Sequence, residues 1–316
     1  MIEPFYGSLQ PQAEQQAGMQ SFFVSNRTGT GRVTVCPVFP GAELCYNDMH
    51  LAFCNQDQHA AQNVIEINHC RVGRYECSFG ENSCCYLAAG DFAVSAGTRK
   101  KSDSCFPLRH YHGITVLLDL DTLTPDMRQG MAWLGIDPDA IRQKICVENR
   151  CCILRENPVV EQIFAKLYAA YPPQDTGLLR LKVLELLHFL GHMESETPVQ
   201  QADYFNRHQV ECAKLVAARM TADLTAHYTI EQLAQEAGLS ATALKNCFKG
   251  VYGSSVYAYL REYRLQTARK LLTETDASVA EIAHRVGYEN PNKFSSAFRA
   301  FCGMTPIECR KMCPNG

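Results

Sequence analysis

Hydrophobic residues follow a helical spacing in two stretches of the last third of the chain, and the two stretches match. In residues 229–249, small or apolar side chains recur three and four positions apart, and in residues 278–301 the same pattern returns about 50 positions later. Each stretch predicts a short helix, a turn and a second helix. Such helix-turn-helix units place their second helix in the major groove of DNA.

Both copies also carry signals for helix starts, helix ends and buried faces. The start and turn signals are two capping boxes (Thr229 with Gln232, Ser278 with Glu281), two turn glycines (Gly238, Gly287) and two caps of the second helices (Ser240, Asn290). In each second helix an apolar pair spaced by four, Leu244 with Phe248 and Phe294 with Phe298, predicts the buried face. A single match would fit any helical bundle, but two matches in register favour paired DNA-binding motifs.

Residues 207–313 resemble the AraC/XylS family of bacterial transcription regulators. Within them, residues 278–306 are similar to the signature segment of that family, and residues 263–272 are similar to its long linking helix. The resemblance implies a seven-helix DNA-binding domain at 207–316. It also implies that two recognition helices enter adjacent major grooves on one face of double-stranded DNA.

Helix geometry and the resemblance together suggest which side chains face the DNA. The residues expected to contact base edges are Thr242, Lys245, Asn246, Asn292, Ser295 and Ser296. Those expected to contact phosphates are Ser240, Lys249, Lys293 and Arg299. The alternative for any one of them is a place on a solvated helix face.

Charge divides the chain in the same way. From residue 206 onward there are 14 Lys and Arg against 10 Asp and Glu, whereas the rest of the chain has 16 against 23. A basic segment joined to an acidic one is typical of a DNA-binding domain attached to a domain with another task. The excess of four positive charges is too small for binding by charge alone, so groove contacts must contribute to affinity.

The first two thirds of the chain predict a second domain of strands followed by helices. Between residues 32 and 120, short runs rich in β-branched and aromatic residues alternate with Gly, Asn or Pro, which predicts a sandwich or barrel. The order of residues 68–77 and 90–95 resembles the cupin-like sensor domains of the same family. The resulting fold class is α+β with two domains, the first a cupin-like β-barrel with following helices and the second all-α.

The resemblance implies that this domain, residues 21–193, binds a small-molecule effector and dimerises. The alternative is a dimerisation or packing domain without a ligand. Helices are predicted within residues 125–193, and in residues 176–193 a leucine-rich heptad seam fits either a homodimer contact or packing on the barrel. Residues 1–20 are expected to be flexible. Residues 194–206, polar and broken by a proline, are the predicted linker.

Candidate ligand-binding chemistry in this first domain is sparse. The candidate effector contacts are His69, Arg71, Arg74, Tyr111 and His112. His110 and His112 could share one strand face as metal ligands, but we favour a polar pocket rim or a turn and predict no metal and no cofactor. Most of the 16 cysteines are interpreted as small core residues, with a redox or metal-sensing role for a few, such as Cys70 and Cys77, kept as an alternative.

The function predicted from the sequence is a sequence-specific transcription regulator that responds to a small molecule. No nucleophile triad, phosphate-binding loop or paired-carboxylate motif supports an enzyme. Since neither a membrane span nor a signal peptide is recognisable, we expect a cytoplasmic, nucleoid-associated protein. For a transcription regulator, RNA polymerase is an expected partner. The alternatives are a metal- or thiol-redox sensor and a constitutive DNA-binding regulator.

Overall fold

The chain forms two compact units, Met1–Tyr204 and Phe205–Gly316. The computed structural model describes residues 19–54, 63–79, 83–96, 104–145, 152–155, 157–172, 175–193 and 205–312. Almost all of the predicted flexible segment 1–20 and residues 194–204 of the predicted linker therefore lie outside the described residues. The last two linker residues, Phe205–Asn206, are extended and lead directly into a helix.

Strands dominate the first unit. They are β1 (Gln20–Asn26), β2 (Gly29–Phe39), β3 (Ala42–His50), β4 (Phe53–Cys54), β5 (Val64–Gly73), β6 (Tyr75–Phe79), β7 (Ser83–Leu87), β8 (Phe92–Ala96), β9 (Ser104–Cys105), β10 (Tyr111–Asp119) and β11 (Cys152–Leu154). One antiparallel sheet has the order β1-β2-β3-β10-β5-β8-β11, and β7, β6, β9 and β4 follow one another in a second sheet. Strands with both faces covered read as nearly continuous apolar runs.

Two hydrophobic clusters cover the two faces of the larger sheet. On one face, Val33 and Cys45 belong to the cluster shared with the second sheet. Residues on the opposite face of the same strands, such as Cys36 and Leu44, belong to a cluster shared with the helices. The period of two along a strand produces this division, and it arranges the unit as helices, sheet and second sheet.

Four helices follow or interrupt the strands of this unit in the described residues. They are α1 (Pro125–Trp133), α2 (Pro138–Ile145), α3 (Pro158–Ala169) and α4 (Thr176–His192). The heptad seam of α4 is fully buried in the core of the same chain, so these side chains show the packing alternative rather than a dimer contact. A homodimer through the exposed face of α4 stays a prediction.

The second unit is helical in the described residues after Asn206. Its helices are α5 (Arg207–Ala222), α6 (Ile230–Glu236), α7 (Ala241–Tyr252), α8 (Val256–Glu274), α9 (Val279–Arg285), α10 (Pro291–Cys302) and α11 (Pro306–Met312). These seven helices match the number that the resemblance implies. The pairs α6–α7 and α9–α10 form the two predicted repeats, and the two-part sheet-and-helix architecture is confirmed.

A search of the helices in the described part of the chain found none long and apolar enough to span a bilayer.

Candidate functional site

The first helix of each repeat begins with a complete capping box. The Gln232 amide N–H donates to the Thr229 hydroxyl at 3.2 Å, while the Thr229 amide donates to the Gln232 side chain at 3.0 Å. In the second repeat the corresponding distances between Ser278 and Glu281 are 3.2 and 2.7 Å. Because these bonds satisfy amides that no preceding turn can satisfy, the sequence alone determines where both helices start.

A left-handed glycine ends the first helix of each repeat, but the two glycines have different surroundings. Gly238 has φ +66° and Gly287 has φ +80°. A Cβ at position 238 would meet open space, whereas one at 287 would collide with the Leu224 carbonyl oxygen and crowd Arg264. The Arg264 guanidinium donates to that carbonyl at 2.6 Å, and burial lowers its pKa, so this arginine has a structural role.

The second helices α7 and α10 are anchored by their predicted aromatic and leucine faces. Leu244 and Phe248 are fully buried in the first repeat, as are Phe294 and Phe298 in the second. At the start of α10 the Asn290 carboxamide oxygen accepts from two backbone amides at 2.9 and 3.3 Å. Each helix is therefore held by one buried face and one capped end, and its remaining face is directed outward.

Most predicted DNA contacts lie on those outward faces. The exposed ones are Thr242, Lys245, Asn246, Lys249, Ser240, Asn292, Lys293, Ser296 and Arg299. Two hydroxyls already have partners: the Ser240 oxygen accepts from the Ala243 amide at 3.2 Å, and the half-buried Ser295 donates to the Pro291 carbonyl at 2.9 Å. Ser295 is thus the member of the predicted set whose donor is occupied within its own helix.

One arginine that was not among the predicted DNA contacts lies beside the exposed face of α10. Exposed Arg261, from the long helix α8, lines an open groove together with Asn292, Lys293 and Ser296. Because it comes from a different helix, its proximity depends on how α8 packs against α10. The only sequence signal was its basic character, which the many other basic residues share.

The first unit contains a cavity of about 370 Å³ at the rim of the larger sheet. Its lining residues come from strands β2, β3, β5 and β10, from α3 and from the segment that follows α3. Two predicted effector residues, Arg71 and His112, line it, and Arg32 adds a second guanidinium. Three tyrosines, Tyr46, Tyr168 and Tyr171, supply aromatic wall. Concave, aromatic-lined spaces of this size with few charged groups are typical small-molecule sites.

A β-bulge gives Arg71 its position. The pairing of β10 with β5 shifts between His112 and Gly113, so that Val72 and Cys70 are paired while Arg71 between them is the extra residue. Its guanidinium lies 4.8 Å from the ring centroid of Tyr168. Bulges re-aim side chains at sheet rims, and this one brings a cation to the cavity wall.

The His69 side chain connects strand β5 to helix α3 and lies behind Tyr168, which lines the cavity. It is buried, stacked on Phe164 with ring centroids 4.2 Å apart, and its Nδ1 and Nε2 lie 3.0 Å from the Tyr168 hydroxyl and 3.3 Å from Glu161 Oε1. Burial lowers the pKa of His69, and the neighbouring Glu161 carboxylate partly offsets this effect. It lines a neighbouring cavity of about 260 Å³ that also includes Arg71.

Two other predicted effector residues lie elsewhere. Tyr111 is buried against Tyr75 and Phe106 beside a polar space of about 20 Å³ between the two sheets, and Arg74 lies 5.8 Å from the ring centroid of Tyr86. This space has room for about one water molecule, so among the described residues the region between the two sheets is too small for an effector. The structure brings Arg71 and His112 together but not Arg74 and Tyr111.

A cluster of three histidines lies next to the rim cavity. His50 Nδ1 is 3.2 Å from His110 Nδ1, and one ring nitrogen from each of His50, His110 and His112 can be chosen within 4.8 Å of the others. Asp48 Oδ1 lies 2.9 Å from His50 Nε2 and 3.2 Å from His112 Nδ1. Burial and the charges of the other two histidines lower the pKa of His110, while Asp48 opposes the shift.

The cysteines of the first unit are mostly inside. Burial raises the pKa of Cys36 and of Cys70 to about 12, and that of Cys152 to about 11. Since the thiolate is the reactive form, these thiols are unreactive near neutral pH. Among the described residues, the one group with metal-ligand spacing contains histidines rather than cysteines.

Comparison with known proteins points to the second unit. Residues 233–312 match the family described as "Helix-turn-helix domain". The chain is 33% identical over 105 residues, a third of its length, to the HTH-type transcriptional activator RhaR of Enterobacter sp. (strain 638). It is 24% identical over 235 residues, or 73% of its length, to the virulence regulon transcriptional activator VirF of Yersinia enterocolitica, of which 80% is covered.

A solved structure gives a similar local match. It is a transcriptional regulator from Chromobacterium violaceum, described as one of the "AraC-type DNA-binding domain-containing proteins", and it is 28% identical in sequence. The match covers 33% of this chain and 93% of that chain, with a TM-score of 0.32. The alignment with RhaR spans 37% of that relative, and the alignment with an AraC-like regulator of Streptomyces lividans spans 28%. The chain therefore spans about a third of the length of these two relatives.

Proposed function

We propose that this chain, whose residues 233–312 match the helix-turn-helix family, is a sequence-specific, effector-responsive transcription regulator of the AraC type. The observation that carries this proposal is the pair of capped, aromatic-anchored helices α7 and α10. Each buries one face and presents polar side chains on the other. Such motifs read the major groove with an exposed polar helix whose opposite face is packed into the domain core.

Each recognition helix offers groups that can discriminate base pairs. On α7, Thr242, Lys245 and Asn246 follow at spacings of three and one, so they share one outward face. On α10, Asn292 and Ser296 are one turn apart. Asparagine can bind adenine through two hydrogen bonds and lysine favours guanine, while serine and threonine are less selective. We therefore assign most of the discrimination to Lys245, Asn246 and Asn292, and a minor part to Thr242, Ser295 and Ser296.

Basic groups around these faces supply the contacts that position the protein. Lys249, Lys293 and Arg299 are exposed on the recognition helices, and Ser240 caps the first of them. Arg261, which lines the groove with Lys293, extends this set beyond what the sequence suggested. Phosphate contacts fix register without specifying sequence, and they make binding dependent on salt.

The first unit is proposed to be a cupin-like sensor with its effector at the rim cavity. Arg32 and Arg71 bring two cationic groups to a wall that also has three tyrosines, which favours a small anionic molecule with an aromatic or planar body. His69 supports this wall through Tyr168 rather than touching the ligand. Such an effector can regulate DNA binding only through different affinities for two states of the protein, so DNA must in turn change effector affinity.

The partners follow from this role. We propose that the protein acts on double-stranded DNA in the bacterial cytoplasm, with RNA polymerase as its partner in transcription. Homodimerisation through the exposed face of α4 is part of the same proposal. It is supported by Leu181, an apolar side chain that is 65% exposed on that helix. An ultracentrifuge run that finds monomers at micromolar concentration, with and without DNA, would remove the dimer from the proposal.

Selection of bound genomic DNA tests the proposed regulator directly. Full-length protein, incubated with sheared genomic fragments at moderate salt, should enrich fragments that share a motif, with affinity at least about 10³-fold above unrelated duplex. The double variant Lys245→Ala/Asn292→Ala should enrich no shared motif. Enrichment without any common sequence in the wild-type protein would contradict sequence-specific binding.

A pair of arginine variants tests the effector site. Screening small carboxylates and phosphates by thermal shift should identify a ligand of the wild-type protein. Arg71→Gln should then weaken its binding by about 10-fold or more, because a charge-assisted hydrogen bond is lost. Arg74→Gln is the matched control, since Arg74 stacks on Tyr86 and is not among the cavity-lining residues described. Equal losses in both variants would place the ligand elsewhere.

A further inference from the structure

We propose that His50, His110 and His112 form a binding site for a zinc ion at the end of strands β3 and β10. The proposal concerns the first unit alone and does not depend on DNA binding. In the register of β10 against β3, His112 pairs directly with Asp48 and Tyr111 with Met49. Since side chains alternate along a strand, Asp48 and His50 share one face, and His110 and His112 lie opposite them.

The spacing of the imidazoles suits a tetrahedral ion. Zinc binds imidazole nitrogen at about 2.0–2.1 Å, so two such ligands around a tetrahedral centre lie about 3.3 Å apart. The Nδ1 atoms of His50 and His110 are 3.2 Å apart. A nitrogen of His112 comes within 4.8 Å of both, so a small change of its side-chain torsions completes a three-nitrogen set.

Asp48 sets the ring orientation that such a site needs. Its Oδ1 atom faces His50 Nε2 and His112 Nδ1 at 2.9 and 3.2 Å. A proton on each of these nitrogens, beside the carboxylate, leaves His50 Nδ1 and His112 Nε2 with lone pairs for the ion. A carboxylate behind a metal-bound histidine is the usual supporting arrangement.

The site is accessible and leaves one coordination position open. The His50 side chain is 53% exposed and that of His112 is 35% exposed, so an ion can enter from solvent. Three protein ligands leave the fourth position to solvent or to a small anion. Because Asp48 and His112 also line the rim cavity, an ion here would add a positive charge beside that cavity.

Zinc binding by the full-length chain tests the proposal. Protein kept reduced and stripped with a chelator is titrated with zinc chloride against a chromophoric zinc indicator, and one tight zinc per chain is expected. His110→Ala and His112→Ala should each weaken that binding at least about 100-fold, and Asp48→Asn about 10- to 100-fold as a positioning residue. His227→Ala, which removes an exposed histidine of the other unit, should have no effect.

Two further measurements separate this site from the cysteines and from misfolding. Cobalt substituted for zinc should give a spectrum without thiolate-to-metal charge transfer, and far-ultraviolet circular dichroism of each variant should match the wild type. Absence of micromolar-affinity zinc binding in the wild-type protein would overturn the proposal. So would a stoichiometric zinc that persists in the His110→Ala/His112→Ala double variant, or one whose cobalt form shows thiolate ligation.

Discussion

The two units differ in how far apart along the chain their functional residues lie. In the carboxyl-terminal unit, the residues predicted to contact bases in each repeat lie within one helix-turn-helix segment of some two dozen residues, whose caps and turn glycine are local. In the amino-terminal unit, His50 meets His110 across 60 positions and His69 meets Tyr168 across 99. Local signals specify the first kind of site, whereas strand register and helix packing specify the second.

Removing an aromatic anchor should have the largest effect and should stay within one unit. Phe294→Ala deletes a fully buried ring from the core of the second repeat and should cost about 3–5 kcal/mol of the free energy of unfolding of that unit. Calorimetry should show the transition of the carboxyl-terminal unit moving to lower temperature. Phe301→Ala on the same helix is the control, because that ring is 41% exposed. Equal losses in the two variants would show that α10 does not bury the predicted face.

Substitution of the two turn glycines should destabilise the second unit to different extents. Gly238→Ala should cost about 1–2 kcal/mol, the penalty of a left-handed conformation alone. Gly287→Ala should cost about 3 kcal/mol or more, because its methyl group would also collide with the Leu224 carbonyl. Denaturant unfolding of both variants measures the difference. A Gly238→Ala protein less stable than Gly287→Ala would contradict the packing described around the second turn.

Single base-contact variants should weaken DNA binding without unfolding the protein. Lys245→Ala and Asn292→Ala are each expected to cost about 1–3 kcal/mol of binding free energy on the selected site. Fluorescence anisotropy at fixed salt measures the loss. Lys270→Ala is the matched control, since Lys270 is an exposed lysine on α8 outside both recognition helices. If only one of the two variants lost affinity, a single repeat would be reading sequence.

The pH dependence of stability should be the smallest effect and should belong to the first unit. Because the folded-state pKa of His69 is lowered below its unfolded value of about 6.5, the unfolded chain binds more protons between the two values. Stability of this unit should therefore fall as the pH drops below about 6.5. His69→Gln should reduce that slope in unfolding curves recorded with a chelator present. An unchanged slope in His69→Gln, or a steeper one than in His227→Gln, would contradict the assignment.

The sequence predicted the second unit in more detail than the first. Both capping boxes, both turn glycines and all four buried anchors were recognisable, since each depends on neighbours within a few residues. Arg261 was not, because its place beside α10 is set by packing between helices.

In the first unit, the β-branched and aromatic runs between residues 32 and 120 include strands β2, β5, β6, β8 and β10, whereas β3 has no such run. Polar residues such as Asn47 and Asp48 interrupt the hydrophobic pattern of β3, and they are tolerated because they face a buried polar partner and the rim. Without β3 in register, His50 could not be placed beside His110 and His112. The bulge that positions Arg71 is likewise invisible before the pairing is known.

We propose that the second helix of each repeat, α7 and α10, binds one of two successive segments of the major groove. Hydroxyl-radical and methylation footprinting of full-length protein on a selected genomic site measures this directly. The expected result is two protected major-groove segments about 10 base pairs apart on one face of the duplex for each bound chain. Protection of only one segment, or none that depends on sequence at moderate salt, would contradict it.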